Sequence, residues 1–360
     1  MSKCKRCLIT DAVPEVNINN DGLCNLCLDF KEENFQTLEN ARKVREKDLE
    51  ETIRANKNKA EYDCIVPVSG GKDSIYLLYK LKVEYGLKVL AYTTDINIPP
   101  IAWDNMTRTL NKLEIDHYIY RPSIKFYEKL FRYLLKNQEQ RGAVYTISYV
   151  YAPLFEGDVI KLAMEKNIPL IFAGYSPGQP EPERMLYEFS RELIEKIDWT
   201  PPALKQCGEF SDAELSRFFN PLTYPKGTAF PRYLAPYHAW EYNQEDVMQK
   251  IVQLGLVKSA KHASPIFSNY PINWLLMYSD LINFKFNPYL PEFAALIREG
   301  KANKLHWQIM VPIIDFMISN KILLGKDVRT SLQWLDMHEN ELCINQPKGV
   351  YDPPAPTSQP

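Results

Sequence analysis

No apolar run in the sequence reaches the ~20 residues that a helix needs to cross a bilayer. Met1-Ser2-Lys3-Cys4-Lys5-Arg6-Cys7 is not followed by the apolar core of a secretion signal either, so a cytoplasmic location without membrane attachment is expected. An excess of one charge sign is also lacking. The formal net charge of -2 argues against a basic footprint over the whole molecule, which makes tRNA a less favoured partner unless a local basic face exists. Cysteines number only seven, and four of them fall in two close pairs, which in a reducing compartment suits metal ligation better than disulfides. With 45% hydrophobic and 24% charged residues over 360 positions, the chain is neither disordered nor fibrous, and it has room for one large domain or two.

A further absence narrows the chemistry. The run Ser69-Gly70-Gly71-Lys72-Asp73-Ser74 follows the apolar stretch Cys64–Val68 and precedes Ile75–Leu81, which sets it in a strand-to-helix turn. It lacks the order of a Walker loop, in which glycine and four residues precede glycine, lysine and serine or threonine, so kinase or GTPase chemistry is not implied. What is present still suits a phosphate cradle. Two glycines let the backbone approach an anion, and the first N–H groups of the following helix lack intrahelical partners and carry the positive end of its dipole. Ser69 and Ser74 add hydroxyls and Lys72 a positive charge; the plain alternative is a tight turn whose serine only caps a helix. The six residues look like the PP-loop of the ATP pyrophosphatases. That resemblance implies ATP cleaved between its α and β phosphates and AMP transferred to a substrate oxygen.

Cys4-Lys5-Arg6-Cys7 and Cys24-Asn25-Leu26-Cys27 stand sixteen residues apart. Each CxxC can place two thiolates on one tetrahedral ion, and Asn19-Asn20-Asp21-Gly22 supplies a hairpin turn between them. The expectation is a structural zinc ribbon whose four ligands leave no open position for chemistry, with an iron-sulfur cluster and a redox pair as weaker alternatives. From Glu33 to Ala60 a thin apolar stripe at helical spacing predicts an amphipathic connecting helix, whose many basic residues serve either a polyanion or, more simply, solvation.

Beyond Tyr62 short apolar runs alternate with helical ones. Strands are expected at Cys64–Val68, Val89–Thr93, His117–Arg121 and Pro169–Ala173, with helices at Ser74–Tyr85, Ile101–Leu113, Phe126–Lys136 and Leu154–Lys166. The alternation predicts an α/β fold with a parallel sheet, whose ligand lies beyond the carboxyl ends of the strands. Three strand ends therefore carry candidate nucleotide-binding residues. The first is Val68 with Ser69, Gly70, Gly71, Lys72, Asp73 and Ser74. The second is Thr93, Thr94 and Asp95, where Asp95 serves a sugar hydroxyl, a Mg2+ ion or a helix cap. The third is Gly174, Tyr175 and Ser176, opening a turn that continues through Gly178 and Gln179.

Magnesium is expected with ATP, because pyrophosphate departure needs charge neutralised, and Asp73 either coordinates the ion or holds the loop together. Lys72 would stabilise the leaving group. Residues 180–235 are rich in proline and aromatic groups and predict an irregular insertion over the site or an oligomer contact. Cys207 in this segment is either a sulfur carrier or a small apolar residue, and the second is the more common case. Helices are expected from Tyr242 to Leu254, from Trp274 to Ile282 and within 287–301, where Glu292, Arg298 and Glu299 either brace the helices or line an acceptor pocket. Pro353-Pro354-Ala355-Pro356 predicts a flexible tail. The resulting division is 1–32 ribbon, 33–60 connecting helix, 61–235 nucleotide-binding domain, 236–345 helical region and 346–360 tail. The aromatic-rich second half is suited to a homodimer surface.

The cysteine quartet ahead of Tyr62-Asp63-Cys64-Ile65-Val66-Pro67-Val68-Ser69-Gly70-Gly71-Lys72-Asp73-Ser74 resembles the N-acetyl sugar amidotransferases of the PP-loop superfamily, best over residues 4–95 and more loosely over 242–301. The resemblance implies an adenine nucleotide alpha hydrolase-like (HUP-like) domain. It also implies attack of an acetamido oxygen on the α-phosphorus of ATP, loss of pyrophosphate, and displacement of AMP by ammonia from a separate glutaminase subunit. No glutaminase domain is recognisable in this chain. The tRNA thiolases of the same superfamily also pair a ribbon with a PP-loop, and some hold an iron-sulfur cluster on a CxxC in the catalytic domain. Here Ala143-Val144-Tyr145-Thr146-Ile147-Ser148 has no cysteine and residues 300–360 hold only Cys343. Cluster-based thiolation is disfavoured, while sulfur insertion from a donor protein or through Cys207, and ATP sensing without turnover, remain alternatives.

Overall fold

The computed structural model describes residues 2–177 and 187–352. The predicted turn residues Gly178 and Gln179, the first part of the 180–235 insertion and the Pro353–Pro356 tract lie outside them. The strands are β1 (Cys64–Pro67), β2 (Val89–Thr94), β3 (Asp116–Tyr120), β4 (Gln138–Glu139), β5 (Leu170–Phe172), β6 (Arg232–Leu234) and β7 (Ile344–Gln346). Five of them form one sheet in the order β3-β2-β1-β5-β6, every pairing parallel, while β4 and β7 make a separate parallel pair. Chain order therefore reverses between β1 and β5.

β1 and β2 are almost wholly buried, as their near-continuous apolar sequences require of strands covered on both faces. On one face Val66, Val89, Ala91 and Phe172 pack with Ile75, Leu78 and Met106, and Tyr237, Tyr242, Val247 and Ile251 join the same cluster. On the other, Ile65, Leu90 and Ile171 meet Val159, Ile160 and Trp199. Each buried valine, leucine, isoleucine, phenylalanine or methionine side chain among them contributes roughly 1.5–3 kcal/mol. The α/β segment before residue 236 and the segment after it thus share one core.

The expected strands and helices are present with shifted ends. The helix expected at Ser74–Tyr85 is α-helical over Lys72–Tyr79 and π-helical over Lys80–Glu84. The one expected at Leu154–Lys166 begins eleven residues earlier and runs from Ala143 to Glu165 with Pro153 inside it. Its start is fixed from far along the chain, because Asp280 accepts N–H bonds from Ala143 (2.5 Å) and Val144 (3.0 Å). Burial pushes Asp280 up to about 7 while those two N–H groups pull it back. The insertion is more regular than expected, since it supplies β6 and the short helices Arg191–Lys196, Pro202–Gln206 and Asp212–Leu215.

At the amino end, Ile18 and Cys24 pair across the predicted hairpin turn, where Gly22 has φ +81°. The connecting helix spans Glu32–Asn56 and anchors through Leu49 and Ile53 in the main core. The carboxyl region is helical, including Pro271–Phe284, Leu290–Arg298, Lys304–Ser319 and Lys326–Trp334. The expectation of no long apolar stretch needs correction here. Residues Lys304–Trp334 contain an 18-residue window of mean hydropathy 1.3, only 22% buried, which passes by length and composition as a membrane span. Its α-helix nevertheless ends at Ser319 and resumes at Lys326, after Lys321 and Leu323 adopt positive φ.

Candidate nucleotide site and metal centre

Pro67 and Val68 lead from β1 into the loop, and Val68 keeps one ladder bond by donating to the Tyr92 carbonyl (2.7 Å). At Gly70 the chain turns with φ +77°, and a Cβ there would lie 2.4 Å from the carbonyl oxygen of Ala102. Only glycine fits both conditions. Asn105, buried on the Pro100–Leu113 helix, fastens the turn by donating to the carbonyls of Gly70 and His262, both at 2.9 Å. Gly71 then occupies the N-cap of the Lys72–Tyr79 helix with no side chain capping it, so the first N–H groups of the helix remain available to an acceptor. Ser74 Oγ donates to the Gly71 carbonyl (3.0 Å) and lies 3.4 Å from Ser69 Oγ.

The loop borders a cavity of about 250 Å³ at the point where chain order reverses. Ser69, Gly71, Asp73 and Ser74 line it from β1, Thr94 from β2, and Gly174 and Tyr175 from β5, while Tyr92, Tyr151, Phe155 and Tyr270 give it an aromatic wall. Gly174 passes so close to the loop that a Cβ would lie 3.1 Å from the Ser74 nitrogen. The three predicted strand ends therefore converge on one concave site, with helix N–H groups and hydroxyls on one side and aromatic faces on the other.

Not every predicted residue lines the cavity. Lys72 is buried, with its Nζ 2.5 Å from Asp73 Oδ2 and 3.2 Å from the Tyr242 hydroxyl. Burial alone would lower its pKa, but Asp73 and Tyr242 outweigh this and hold the ammonium charged. Thr93 Oγ1 donates to the Val68 carbonyl (2.8 Å) and meets His117 Nε2 at 2.8 Å, tying three strands together. Burial lowers the pKa of that His117. Asp95 pairs with Arg121 at 2.6 Å, and Ser176 is buried and absent from the cavity lining. Cys207 packs with the core around Tyr127, Leu130 and Leu134, where its thiol donates to the Leu204 carbonyl (3.3 Å), and it is absent from the cavity lining.

The tyrosines around Asp73 gave little signal in the sequence. Tyr237 donates to the Asp73 carbonyl (2.7 Å) and Tyr242 to Asp73 Oδ1 (3.0 Å). Both lie more than 160 residues away in the chain, so only the spacing of a shared fold, not a local motif, relates them to the loop. Glu292, half-buried in the first turn of the Leu290–Arg298 helix, also feels this pair. Burial pushes it up to about 8, with Lys72 lowering and Asp73 raising its pKa.

The four cysteines form a second centre. Their sulfurs all lie within 4.8 Å of one another and all four residues are buried, with Cys4 and Cys27 Sγ 3.8 Å apart and Cys7 and Cys24 Sγ 3.6 Å apart. A tetrahedron with metal–sulfur bonds of ~2.3 Å has edges of about 3.8 Å, so the thiols are placed to hold a metal. Burial opposes ionisation at Cys4, but N–H groups of Cys7, Cys24 and Arg6 bring it down to about 6. Ala294 and Ile297 pack on this cluster, and Leu8 beside it packs against Trp307 and Val311. The ribbon is thereby docked on the helices Leu290–Arg298 and Lys304–Ser319.

No family model matches the chain, and no curated protein matches it. Among solved structures it overlaps the U34-tRNA thiolase NcsA of Methanococcus maripaludis with its [4Fe-4S] cluster, at 12% identity and TM-score 0.34, over 93% of this chain and 89% of that one. It also overlaps NMN synthetase of Francisella tularensis, at 12% identity and TM-score 0.34, over 88% and 98%. A third is the NH3-dependent NAD synthetase of Campylobacter jejuni in complex with nitrate, at 14% identity and TM-score 0.31, over 84% and 97%. With overlaps this loose, the function of the chain rests on the geometry of its own loop and cavity.

Proposed function

We propose that the chain is a PP-loop ATP pyrophosphatase that adenylates an amide or carbonyl oxygen of a small acceptor, such as an N-acetyl sugar, and then exchanges AMP for nitrogen. The carrying observation is the Ser69–Ser74 loop at the reversal of strand order, opening with Gly174 onto one cavity. In this proposal the triphosphate lies over the uncapped N–H groups after Gly71, with Ser69 and Ser74 as further donors, and the adenine lies against the aromatic wall. The acceptor oxygen attacks the α-phosphorus, the bond to the bridging oxygen breaks, and pyrophosphate leaves with that electron pair. Ammonia then adds to the activated carbon, AMP departs and a proton is lost to solvent, giving an amidine.

Asp73 is the residue suited to hold Mg2+, since it lines the cavity and, among the described residues, each of its oxygens accepts one hydrogen bond. When bound, the ion would neutralise phosphate charge. Lys72 acts from behind, fixing the Asp73 carboxylate rather than touching phosphate. The four cysteines hold zinc in a structural role, and the nitrogen comes from a separate glutaminase. Sulfide from a donor protein would meet the same adenylated intermediate, whereas sulfur carried by Cys207 has no support, since Cys207 is absent from the cavity lining.

The test is formation of AMP and pyrophosphate by the purified protein with ATP, Mg2+ and ammonium chloride, with and without N-acetylglucosamine and N-acetylgalactosamine. Pyrophosphate release that depends on both acceptor and ammonium supports the amidotransferase, and release supported by sulfide instead of ammonium assigns sulfur insertion. Tight ATP binding with no turnover under any of these conditions overturns the enzymatic proposal in favour of a sensor.

A further inference from the structure

A second cavity, of about 380 Å³, adjoins the nucleotide cavity, and Tyr151 and Tyr270 line both. It lies just past the carboxyl end of β2, where Ile96 and Asn97 form part of its wall. That is the side of a parallel sheet on which ligands bind, and its volume falls in the range of small-molecule sites. We propose that this cavity receives the acceptor, and that the part of the acceptor it encloses is an uncharged ring compound with an apolar face and a hydroxyl- or amide-bearing edge. This rests on the nucleotide reading of the adjoining cavity.

Three observations carry the assignment. The first is position, since Tyr151 and Tyr270 line both cavities, so a ligand filling this one lies beside the cavity bordered by Ser69 and Ser74 and can extend a group toward the α-phosphate. The second is the wall. Phe131 stands edge-on to Trp334 (centroids 6.0 Å, 80°) and to Tyr151 (5.6 Å, 77°), and Trp334 is held in place by donating from Nε1 to Glu128 Oε1 at 2.9 Å. Such aromatic faces, fixed before binding, suit the flat or C–H-bearing side of a ring.

The third is charge. Asn97, Asn273, Thr330 and Ser331 supply amide and hydroxyl groups to the lining, and among the described residues no lysine, arginine, histidine, aspartate or glutamate belongs to it. A phosphate or carboxylate entering there would lose its hydration without gaining a counter-charge. A neutral hydroxyl or amide loses less and finds partners. A sugar and a nucleobase share this chemistry, and the experiment separates them.

Ligand-observed NMR on the full chain, loaded with α,β-methylene-ATP and Mg2+, would use N-acetylglucosamine and uridine as neutral probes. N-acetylglucosamine 6-phosphate and uridine 5′-monophosphate are the charged counterparts. We expect saturable binding of one neutral probe, at least about tenfold weaker binding of its phosphorylated form, and about tenfold weaker binding in Trp334→Ala. Asn97→Asp, an exposed change that brings charge to the cavity without disturbing its packing, should weaken neutral binding similarly. Affinity for α,β-methylene-ATP should change less than about twofold in either variant. N-acetylglucosamine as the binder assigns a sugar, and uridine a nucleobase. The proposal is overturned by equal or tighter binding of a phosphorylated probe, by unchanged binding in Asn97→Asp, or by no saturable binding of either neutral probe. If the nucleotide analogue does not bind while a neutral probe still responds to Asn97→Asp, the ring-binding cavity stands and the nucleotide reading fails.

Discussion

Lys72 and Asp73 are neighbours in the sequence and turn toward each other in the structure, Nζ to Oδ2 at 2.5 Å, with the Tyr242 hydroxyl touching both. Asp73 faces the nucleotide cavity while Lys72 is buried behind it. Asp73→Ala is therefore expected to lower acceptor-dependent pyrophosphate release by about 10²–10³-fold or more. Tyr242→Phe, which removes one hydrogen bond and leaves both charges, should cost only about tenfold. Steady-state assays on the two variants check this order, and full activity in Asp73→Ala would remove Asp73 from the site.

Gly70→Ala meets two obstacles at once, a backbone at φ +77° and an Ala102 carbonyl 2.4 Å from the new Cβ. The loop must move off the Pro100–Leu113 helix, so we expect a loss of about 2–4 kcal/mol in stability and no measurable ATP binding. Gly71→Ala is the control. Its nearest neighbour is Ser69 Oγ at 3.4 Å and its φ is -77°, so it should fold normally. Denaturant titration and calorimetry with ATP separate the two.

Stripping metal from the four cysteines, or replacing Cys4 by Ser, should destabilise the fold more than it alters the chemistry. A loss of a few kcal/mol, about 5–10 °C in Tm, is expected, with turnover per folded molecule within about threefold. Thermal unfolding with and without chelator, alongside pyrophosphate release below the transition, tests this. A much larger fall in turnover at unchanged Tm would give the metal a direct catalytic part.

Burial raises the folded pKa of Glu292 to about 8 from its ordinary 4.5. The folded protein then binds a proton that the unfolded chain has released, so stability is highest below about pH 4.5 on this account and falls as pH rises toward about 8. Glu292→Gln should flatten that slope and raise stability at pH 8 by about 1–2 kcal/mol. Urea unfolding at several pH values between 5 and 8 measures it; parallel curves for the variant and the parent would place the titrating group elsewhere.

The nucleotide loop and the cysteine pairs were legible because each is a local pattern whose geometry follows from a few adjacent residues. Strand positions were legible for the same reason, from apolar runs such as Val89–Thr93. β6 was not, since its three residues, Arg232–Leu234, carry no periodicity of their own and gain strand character only by pairing with β5. The early start of the Ala143–Glu165 helix was hidden because its cap, Asp280, comes from another helix. Asn105, Tyr237 and Tyr242 were missed as supports of the loop because their role exists only after distant segments meet. Conversely, Lys72 drew attention by its charge, whereas packing turned it away from the cavity.

The docking of the cysteine module on the carboxyl-terminal helices has a consequence for synthesis. Lys5 and Lys304 are 299 residues apart, yet the Lys304 ammonium bonds the Lys5 carbonyl, and Leu8 is covered by Trp307 and Val311. The module precedes those helices in the chain, so during translation its apolar flank stays bare until they have left the ribosome. Early metal capture would keep the module ordered through that interval, so a cell short of the metal should lose the protein to proteolysis before those helices are made.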